Sequence, residues 1–463
     1  GVGGLSLDRD VGVFGHVEGV KAMIVGQFRG GRRRDAPVTG EKREAARQLA
    51  GSGLGGSWCT VGRWAAGRLV HDADVGRHEV APASIRRTTL FFYQDMPMVT
   101  RRWSLGAAAA STGERSRTQN EGADVKVHLQ LDGSPSQVSS HARDLAVVGC
   151  DGVFTFEGQH DAFFPLVVAA ADTDLELMTN VAIAGPRSPL HLAHAAYDLQ
   201  VYGRGRFRLG LGSQIKVHIE KRYGSQWGSP AARLAETVAA VKAIFAAWEG
   251  KSRLDFRGEF FTHTLMPPNF NPGPNPFGPP PILMGALGPV MTRAAAQVAD
   301  GLLVMPFNSA RHIAERTMPA LTEGLRRSGR ETGDLQVIAQ AMVAVGRTDA
   351  ELAVAVDAVA SLIAFYGSTP AYVPVLEVEG WAEVQPKLNA LSKRGAFREM
   401  RALITDPMVH TIGIVGTPEQ CAAEIDARFG KLSDEVCCYF PGYTPRSEDV
   451  ADLVTALHDV AAR

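Results

Sequence analysis

The chain has 463 residues, of which 45% are hydrophobic and 21% charged, and its formal net charge is −1. This composition is typical of a globular protein with a large core and argues against a disordered or collagen-like chain. Residues 124–463 are mildly acidic, with 30 Lys+Arg against 37 Asp+Glu, so we expect no nucleic-acid partner for them. No uninterrupted apolar run reaches the roughly 18 residues of a membrane span, and we expect no membrane partner.

Residues 1–123 differ from the remainder in composition. They are rich in glycine and carry 16 arginines but only 2 lysines, with no sustained helical or strand periodicity and no continuous apolar core of a signal peptide. We interpret them as a poorly ordered or loosely attached Arg/Gly-rich extension. A translation start at Met96, Met98 or Val125 would remove most or all of it, whereas an extension that binds polyanions is the alternative.

From Asp124 onwards, short apolar runs alternate with helical patterns. Eight strands are predicted, at Val125–Leu131, Gly152–Phe156, Leu175–Val181, Phe207–Leu211, Pro281–Gly285, Gly301–Met305, Leu335–Val343 and Glu435–Phe440. The helices between them are predicted at Ser136–Val148, Phe164–Ala171, Leu190–Tyr202, Ala231–Trp248, Val290–Ala299, Ala310–Arg327, Ala350–Phe365 and Pro418–Arg428. Parallel strands need such crossovers, so residues 124–463 are predicted to form an α/β fold of the (β/α)₈ TIM-barrel type.

Two connections in this pattern are unusually long and are predicted to be insertions after strands 4 and 7. The first runs from Ser213 to Pro280, and its end carries eight prolines between Met266 and Pro281, which predicts an extended strap. The second runs from Arg347 to Asp434. Long loops on the C-terminal face of a barrel usually shape the substrate pocket, and we expect that role here.

Strand 2 is followed by the most suggestive polar residues. Glu157 and His160 come directly after it, where a barrel places acid/base chemistry, and an imidazole titrates near neutrality. We predict that His160 donates or accepts a proton and that Glu157 orients its ring. The structural alternative is that Glu157 pairs with an arginine at the barrel rim. Arg187, after strand 3, either holds an anion or forms such a rim salt bridge.

Strand 4 runs into a dense polar loop, from Ser213 to Tyr223, which is either a site or a solvated helix turn. Gly210 and Gly212 do not form a GxGxxG dinucleotide fingerprint, and we attribute them to close packing of the strand. After strand 5, Gly285 to Gly288 would let a ligand approach backbone N–H groups before a helix opens, although ordinary tight turns share this pattern.

The cysteines predict no metal site and no disulfide framework. Their number is odd, and none has the CxxC spacing: Cys59, Cys150, Cys421, Cys437 and Cys438. We interpret them as reduced thiols of a cytoplasmic protein.

From Val125 to about Val460 the chain resembles the luciferase-like flavin and deazaflavin oxidoreductases, most closely an actinobacterial branch assigned to coenzyme F-420. The motifs that carry this resemblance are GVFTFEGQHDAFFPLVVAA, SPLHLAHAAYDLQVYGRGRFRLGLGSQIKVHIEKRYG, PAARLAE, DFRGEFFTHTLMPPNFNPGPNPFGPPPIL, DGLLVMPF, IAFYGSTPAYVPVLEVEGW, LNALSKRG and VGTPEQ. The extension resembles no family that we recognise.

The resemblance implies a barrel, usually a homodimer, that binds a reduced 8-hydroxy-5-deazaflavin. It places the ring over a non-prolyl cis peptide at Asn180-Val181, with Asn180 where the family commonly has Gly, and places an acidic residue and a histidine at Glu157 and His160. The remaining implied contacts are with the coenzyme phosphate at Gly285, Ala286, Leu287, Gly288 and Thr292, and with substrate at Gln214, His218, Tyr223 and His263.

The function predicted on this basis is hydride transfer between coenzyme F-420 and an unidentified small organic substrate. An FMN-dependent monooxygenase on the same fold is the first alternative, since a deazaflavin has carbon in place of N5 and reacts poorly with oxygen. A non-catalytic coenzyme-binding protein is the second.

Overall fold

The computed structural model describes residues 11–17, 20–26, 125–134, 136–433 and 435–461. In the first unit of the chain, Val11–Val17 pairs antiparallel with Val20–Gly26. Most of the predicted extension, including Cys59, lies outside the described residues, so the interpretation of residues 1–123 stays a prediction.

The second unit is a closed barrel of eight parallel strands, as predicted. The strands are β1 (Lys126–Gln130), β2 (Gly152–Thr155), β3 (Glu176–Thr179), β4 (Phe207–Gly212), β5 (Ile282–Ala286), β6 (Gly301–Val304), β7 (Gln336–Val345) and β8 (Glu435–Tyr439). Each strand pairs with the next along the chain, and β8 pairs with β1 to close the ring. A short strand, Ala182–Ile183, continues the direction of β3 and also pairs with β4.

Helices cover the outside of the barrel between successive strands. They are Val138–Val147, Phe164–Asp172, Pro189–Tyr202, Pro230–Trp248, Pro289–Val298, Met318–Ser328, Pro418–Phe429 and Ser447–Ala461. A capping box is formed by Thr417 and Gln420, with Pro418 at the first helical position. The predicted helix Ala310–Arg327 is divided, because a π-helical turn at Ile313–Thr317 separates Ala310–His312 from Met318–Ser328.

The connection from β4 to β5 corrects one expectation about the Pro-rich strap. After the helix Pro230–Trp248, a hairpin pairs Phe256–Arg257 with Thr262–His263, and a single 3₁₀ turn interrupts the strap. The strap is then anchored where that helix ends, because Glu249 accepts from the backbone N–H of Asn275. This is the end of the barrel at which strands begin. The strap therefore braces the face opposite the C-terminal strand ends and does not cover the mouth.

The connection from β7 to β8 builds a helical layer with its own core. It contains helices Asp349–Gly367, Val373–Val378, Val384–Ser392, Phe397–Ala402 and Asp406–Ile412 and the short strand Ile414–Gly416, which extends the sheet beside β7. Their apolar side chains pack on Met342 and Ala344, the last inward positions of β7. By length and hydropathy the helix Asp349–Gly367 could span a membrane, but Val359, Ala360 and Ile363 pack in this core.

The interior of the barrel is filled by three layers of side chains that alternate along the strands. The layer at the strand starts is ionic and consists of His128, Glu176, Arg208, Gln336 and Glu435. The middle layer is apolar and consists of Phe154, Met178, Leu283, Leu303, Ile338 and Cys437. The layer nearest the mouth is polar and consists of Asn180, Gln340 and Tyr439.

Two glycines let β4 approach β3 closely. A Cβ on Gly210 would lie 1.9 Å from the carbonyl oxygen of Thr179, and a Cβ on Gly212 would lie 2.4 Å from Cγ2 of Val181. The prediction that these glycines serve close packing of the strand is confirmed.

Gly210→Ala is therefore expected to destabilise the barrel by about 3 kcal/mol, the upper end of overpacking costs, because the obstruction is backbone and cannot rotate away. Urea unfolding followed by circular dichroism measures the change. Gly228→Ala is the matched control, since a Cβ there meets nothing within 4 Å. Equal stability of the two variants would contradict the packing argument.

Candidate active site

A buried carboxylate organises the loops that follow β2, β3 and β4. The side chain of Glu157 is 8% exposed and accepts from the backbone N–H of Ile183 at 2.8 Å and from the hydroxyl of Tyr223 at 2.9 Å. It also accepts from the guanidinium of Arg187. Its own backbone N–H donates to the carbonyl of Val181 at 3.3 Å. One residue thus joins three loops at the C-terminal ends of the strands.

Arg187 forms the rim salt bridge that was one of its two predicted roles. Its guanidinium binds Glu157 and, at 3.1 Å, Asp161, and it lies 5.8 Å from the ring centroid of Phe163. Asp161 in turn accepts from the backbone N–H of Phe163 at the start of a helix. Because its charge is matched by two carboxylates, Arg187 holds the loops together, which argues against a role in binding an anion.

The loop after β4 closes onto the loop after β2 through two adjacent side chains. Tyr223 donates to Glu157, while Arg222 donates to the carbonyl of Gly158 and stacks on the Tyr223 ring at 5.1 Å. Burial and the hydrogen bond to Glu157 raise the pKa of Tyr223 to about 12. The phenol therefore keeps its proton, and remains a donor, over the whole physiological range.

Tyr223→Phe is expected to lower stability by about 1 kcal/mol, the typical net contribution of a hydrogen bond, because the tyrosine is only half-buried. Because folding raises the pKa of Tyr223, its hydrogen bond contributes fully to stability below the ordinary tyrosine pKa of about 10. It is lost as the pH rises from there towards 12. Paired urea titrations of the two proteins at pH 8 and pH 11 measure it; a difference that grows with pH would contradict the assignment.

His160 lies in the same loop but stands apart from this cluster. Its side chain is exposed, and among the described residues it has no hydrogen-bond partner. The predicted contact with Glu157 is absent from the hydrogen bonds that the structure describes, where Glu157 is held by Arg187, Tyr223 and Ile183 instead. Glu157 therefore positions the loop that carries His160 without touching the imidazole, which is free to meet a ligand.

The resemblance places a non-prolyl cis peptide under the coenzyme ring, and the structure has one at that position. The peptide bond between Asn180 and Val181 is cis. The side-chain amide of Asn180 donates to Gln340 at 2.9 Å, and Tyr439 donates to the same oxygen at 2.6 Å. Gly285 faces Val181 from β5, where an added Cβ would lie 3.3 Å from its side chain. The glycines on either side of Val181 thus let β4 and β5 approach its side chain closely.

The segment predicted to meet a phosphate precedes the helix Pro289–Val298. Gly288 is the N-cap residue and a Cβ there would meet nothing within 4 Å, so the approach is open. Ala286 and Leu287 are buried. Thr292 is fully buried, and its hydroxyl donates to the carbonyl of Gly288. The helix N-terminus fits an anion, whereas Thr292 supports the turn from behind.

Among the predicted substrate contacts, Tyr223 lies in the cluster, and the others are placed elsewhere. Gln214 adopts a left-handed backbone conformation (φ 57°) and caps the backbone N–H of Ile215. His218 lies half-buried in the short helix Lys216–Lys221. His263 lies in the hairpin that precedes the strap and stacks on Phe261. Burial lowers the pKa of His263, and no contact brings it to Glu157 among the hydrogen bonds described for this part of the chain.

At the opposite end of the barrel, His128, Glu176 and Glu435 place donor atoms within 4.8 Å of one another, which is close enough to hold a metal ion. The guanidinium of Arg208 already donates to Glu435 at 2.9 Å and to Glu176 at 3.2 Å. Arg208 therefore already supplies the positive charge that a metal ion would bring, and the cluster is an ion-pair layer. Cys150, Cys421, Cys437 and Cys438 are buried free thiols.

Three residues of the mouth were not predicted from the sequence as site residues: Asp161, Gln340 and Tyr439. A signal for Gln340 exists, because Gln336 and Gln340 are polar residues at even spacing in the otherwise apolar β7. That spacing places both inside the barrel, where polar groups need partners.

Comparison with known proteins agrees with this geometry. The family model for luciferase-like monooxygenases matches residues 111–434. The chain belongs to this family. It is accordingly an enzyme of the luciferase-like oxidoreductase class, and the fold that the resemblance implies is confirmed.

Individual relatives share most of the barrel. An uncharacterized protein of Mycobacterium tuberculosis is 45% identical over 317 residues, which are 67% of this chain and 93% of the relative. A second protein of that organism, assigned as a coenzyme F-420-dependent oxidoreductase, is 30% identical over 64% of this chain and 89% of its own length. The solved coenzyme F-420-dependent tetrahydromethanopterin reductase of Methanopyrus kandleri has the same fold, with a TM-score of 0.59 and 20% identity. The match covers 72% of this chain and 97% of the reductase.

Proposed function

We propose that this enzyme transfers a hydride between coenzyme F-420 and a small organic substrate. The observation that carries the proposal is the link between Glu157 and the step at Val181. Glu157 donates its backbone N–H to the carbonyl of Val181 and accepts from the N–H of Ile183. The loop that carries His160 is thereby fixed against the strand end over which the resemblance places the coenzyme ring.

The residues of the mouth fit such a group. Gly212 and Gly285 present no side chain beside Val181, and the open N-terminus of the helix Pro289–Val298 suits the phosphate. The coenzyme, when bound, supplies the hydride chemistry. The exposed imidazole of His160 can donate the proton that a carbonyl oxygen takes up when its carbon receives a hydride, or accept the proton of an alcohol when its carbon gives one up. Glu157, Arg187 and Tyr223 keep the loop of His160 in place.

The relatives support this coenzyme. The relative assigned to coenzyme F-420 is 30% identical to this chain over 317 aligned residues. An FMN-dependent monooxygenase is the second candidate, because the matching family is described as monooxygenases. A homodimer in the cytoplasm belongs to the same proposal, and light scattering of the purified protein checks the dimer.

A binding titration separates the candidates. We expect purified protein to change the fluorescence of coenzyme F-420 with a saturable curve and to show no oxygen uptake with it. Tight binding of reduced FMN accompanied by oxygen consumption would instead establish the monooxygenase. Binding of either coenzyme without turnover of any compound in a panel of alcohols, ketones and enones would favour the non-catalytic coenzyme-binding protein.

A further inference from the structure

Gln340 lies inside the barrel at its mouth with an orientation fixed by two donors. It is 5% exposed, and its side-chain oxygen Oε1 accepts from Nδ2 of Asn180 at 2.9 Å and from the hydroxyl of Tyr439 at 2.6 Å. Burial raises the pKa of Tyr439 well above its usual value, so the phenol keeps its proton and stays a donor. With both donors on Oε1, the amide cannot rotate without losing two hydrogen bonds.

The other end of this amide is unused. Among the residues that the structure describes, Nε2 of Gln340 has no hydrogen-bond partner. Nε2 of His312 is a fully buried atom without a partner, whereas Nε2 of Gln340 is not fully buried. It therefore keeps some exposed surface, and its residue lies in the layer nearest the mouth. The two N–H groups of this amide thus lie next to the apolar middle layer of the barrel, which contains Phe154, Met178 and their neighbours.

The position of these N–H groups selects their partner. Gln340 is one hydrogen bond away from Asn180, the first residue of the step on which the proposed ring rests. A neutral amide donor on an apolar floor suits a neutral oxygen acceptor, because a charged ligand there would lose its hydration without gaining a counter-charge. Flavins and deazaflavins share such acceptors in the carbonyl oxygens of their pyrimidine ring.

We propose that the side-chain amide of Gln340 donates a hydrogen bond to a pyrimidine carbonyl oxygen of the bound coenzyme, and thereby sets the position of the ring in the mouth. This assignment rests on the proposed function only in requiring a tricyclic coenzyme, deazaflavin or flavin. Asn180 and Tyr439 are then positioning residues, which act on the coenzyme through Gln340.

Gln340→Glu tests the proposal, because a carboxylate of the same size still accepts from Asn180 and Tyr439 but cannot donate. The probes are coenzyme F-420 and FMN, titrated by fluorescence against intact protein, and circular dichroism monitors folding. We expect the dissociation constant of the bound coenzyme to rise at least tenfold. Gln297→Glu, in the last turn of the outer helix Pro289–Val298, adds the same charge and is expected to leave it unchanged.

A second variant covers the case in which a buried carboxylate prevents folding. Gln340→Met removes the donor without adding charge and is expected to weaken binding in the same direction by at least threefold. If both variants fold and bind the coenzyme within twofold of wild type, the proposal is overturned. This holds even if KM for a substrate rises, because the carbonyl acceptor then belongs to the substrate. Binding of FMN alone, weakened by Gln340→Glu, supports the proposal while overturning F-420 as the coenzyme. Binding of neither coenzyme by wild type overturns both.

Discussion

Replacing His160 with alanine is expected to lower the rate of hydride transfer by about 100- to 10,000-fold, the range that a positioned general acid or base contributes. The imidazole is exposed at the mouth and has no partner among the described residues, so its removal leaves the packing of the loop intact. The change is expected in kcat, with coenzyme affinity within about twofold of wild type, since the contacts assigned to the coenzyme lie on other strands.

The exposure of His160 also offers a positive test. Added imidazole can enter the space left by the side chain and is expected to restore part of the rate in His160→Ala, with a dependence on pH that follows the free imidazole. His191→Ala is the matched control, because this exposed histidine lies on the outer helix Pro189–Tyr202. If His160→Ala and His191→Ala turn over at the same rate as wild type, the catalytic role of His160 is refuted.

Arg208→Met is expected to destabilise the protein by about 3–5 kcal/mol, because it removes one member of a buried ion-pair layer and leaves the carboxylate of Glu435 without its guanidinium counter-charge. Glu435 is 1% exposed and accepts from Arg208, from His128 at 2.7 Å and from Gln336 at 2.6 Å. Urea unfolding at pH 7 measures the loss. In Arg208→Met/Glu435→Gln part of it is expected to return, since the uncompensated charge is gone.

Arg326→Met is the matched control for Arg208→Met. Its partner Glu323 is on the same exposed helix face, and such surface pairs contribute little to stability because solvent screens them. A loss in Arg208→Met no larger than in this control would show that the layer is not a buried ion pair.

The same layer predicts how stability depends on pH. Burial alone would raise the pKa of Glu435, but the hydrogen bonds from His128 and Arg208 outweigh it and hold that pKa far below its usual range. A carboxylate whose pKa is lowered on folding contributes its full stability above the unfolded value of about 4.3. It loses that contribution as the pH falls further. The stability gap between wild type and Glu435→Gln is therefore expected to narrow below pH 4.

Local patterns in the chain were enough to predict the barrel. Apolar runs of four to ten residues alternate with helical periodicity eight times, and parallel strands of that kind have few ways to close. The capping box at Thr417 and the position of Glu157 and His160 after β2 are likewise local, because caps and strand ends depend on residues close in sequence.

Partners distant in sequence could not be predicted in the same way. Glu157 and Tyr223 are 66 residues apart, and Asn180 and Gln340 are 160 apart, yet each pair shares a hydrogen bond. The face on which the Pro-rich strap lies also depends on where Glu249 meets Asn275, not on the strap's composition.

The sequence by itself determined the eightfold barrel, its two long insertions and the strand end at which Glu157 and His160 lie, since these follow from periodicity and chain order. Only the tertiary structure decided that Glu157 binds Arg187 and Tyr223 instead of His160, and that Gln340 offers an amide to the mouth. Closure of the barrel brings these side chains together from different strands, and hydrogen bonds are specific to distances that no sequence spacing encodes.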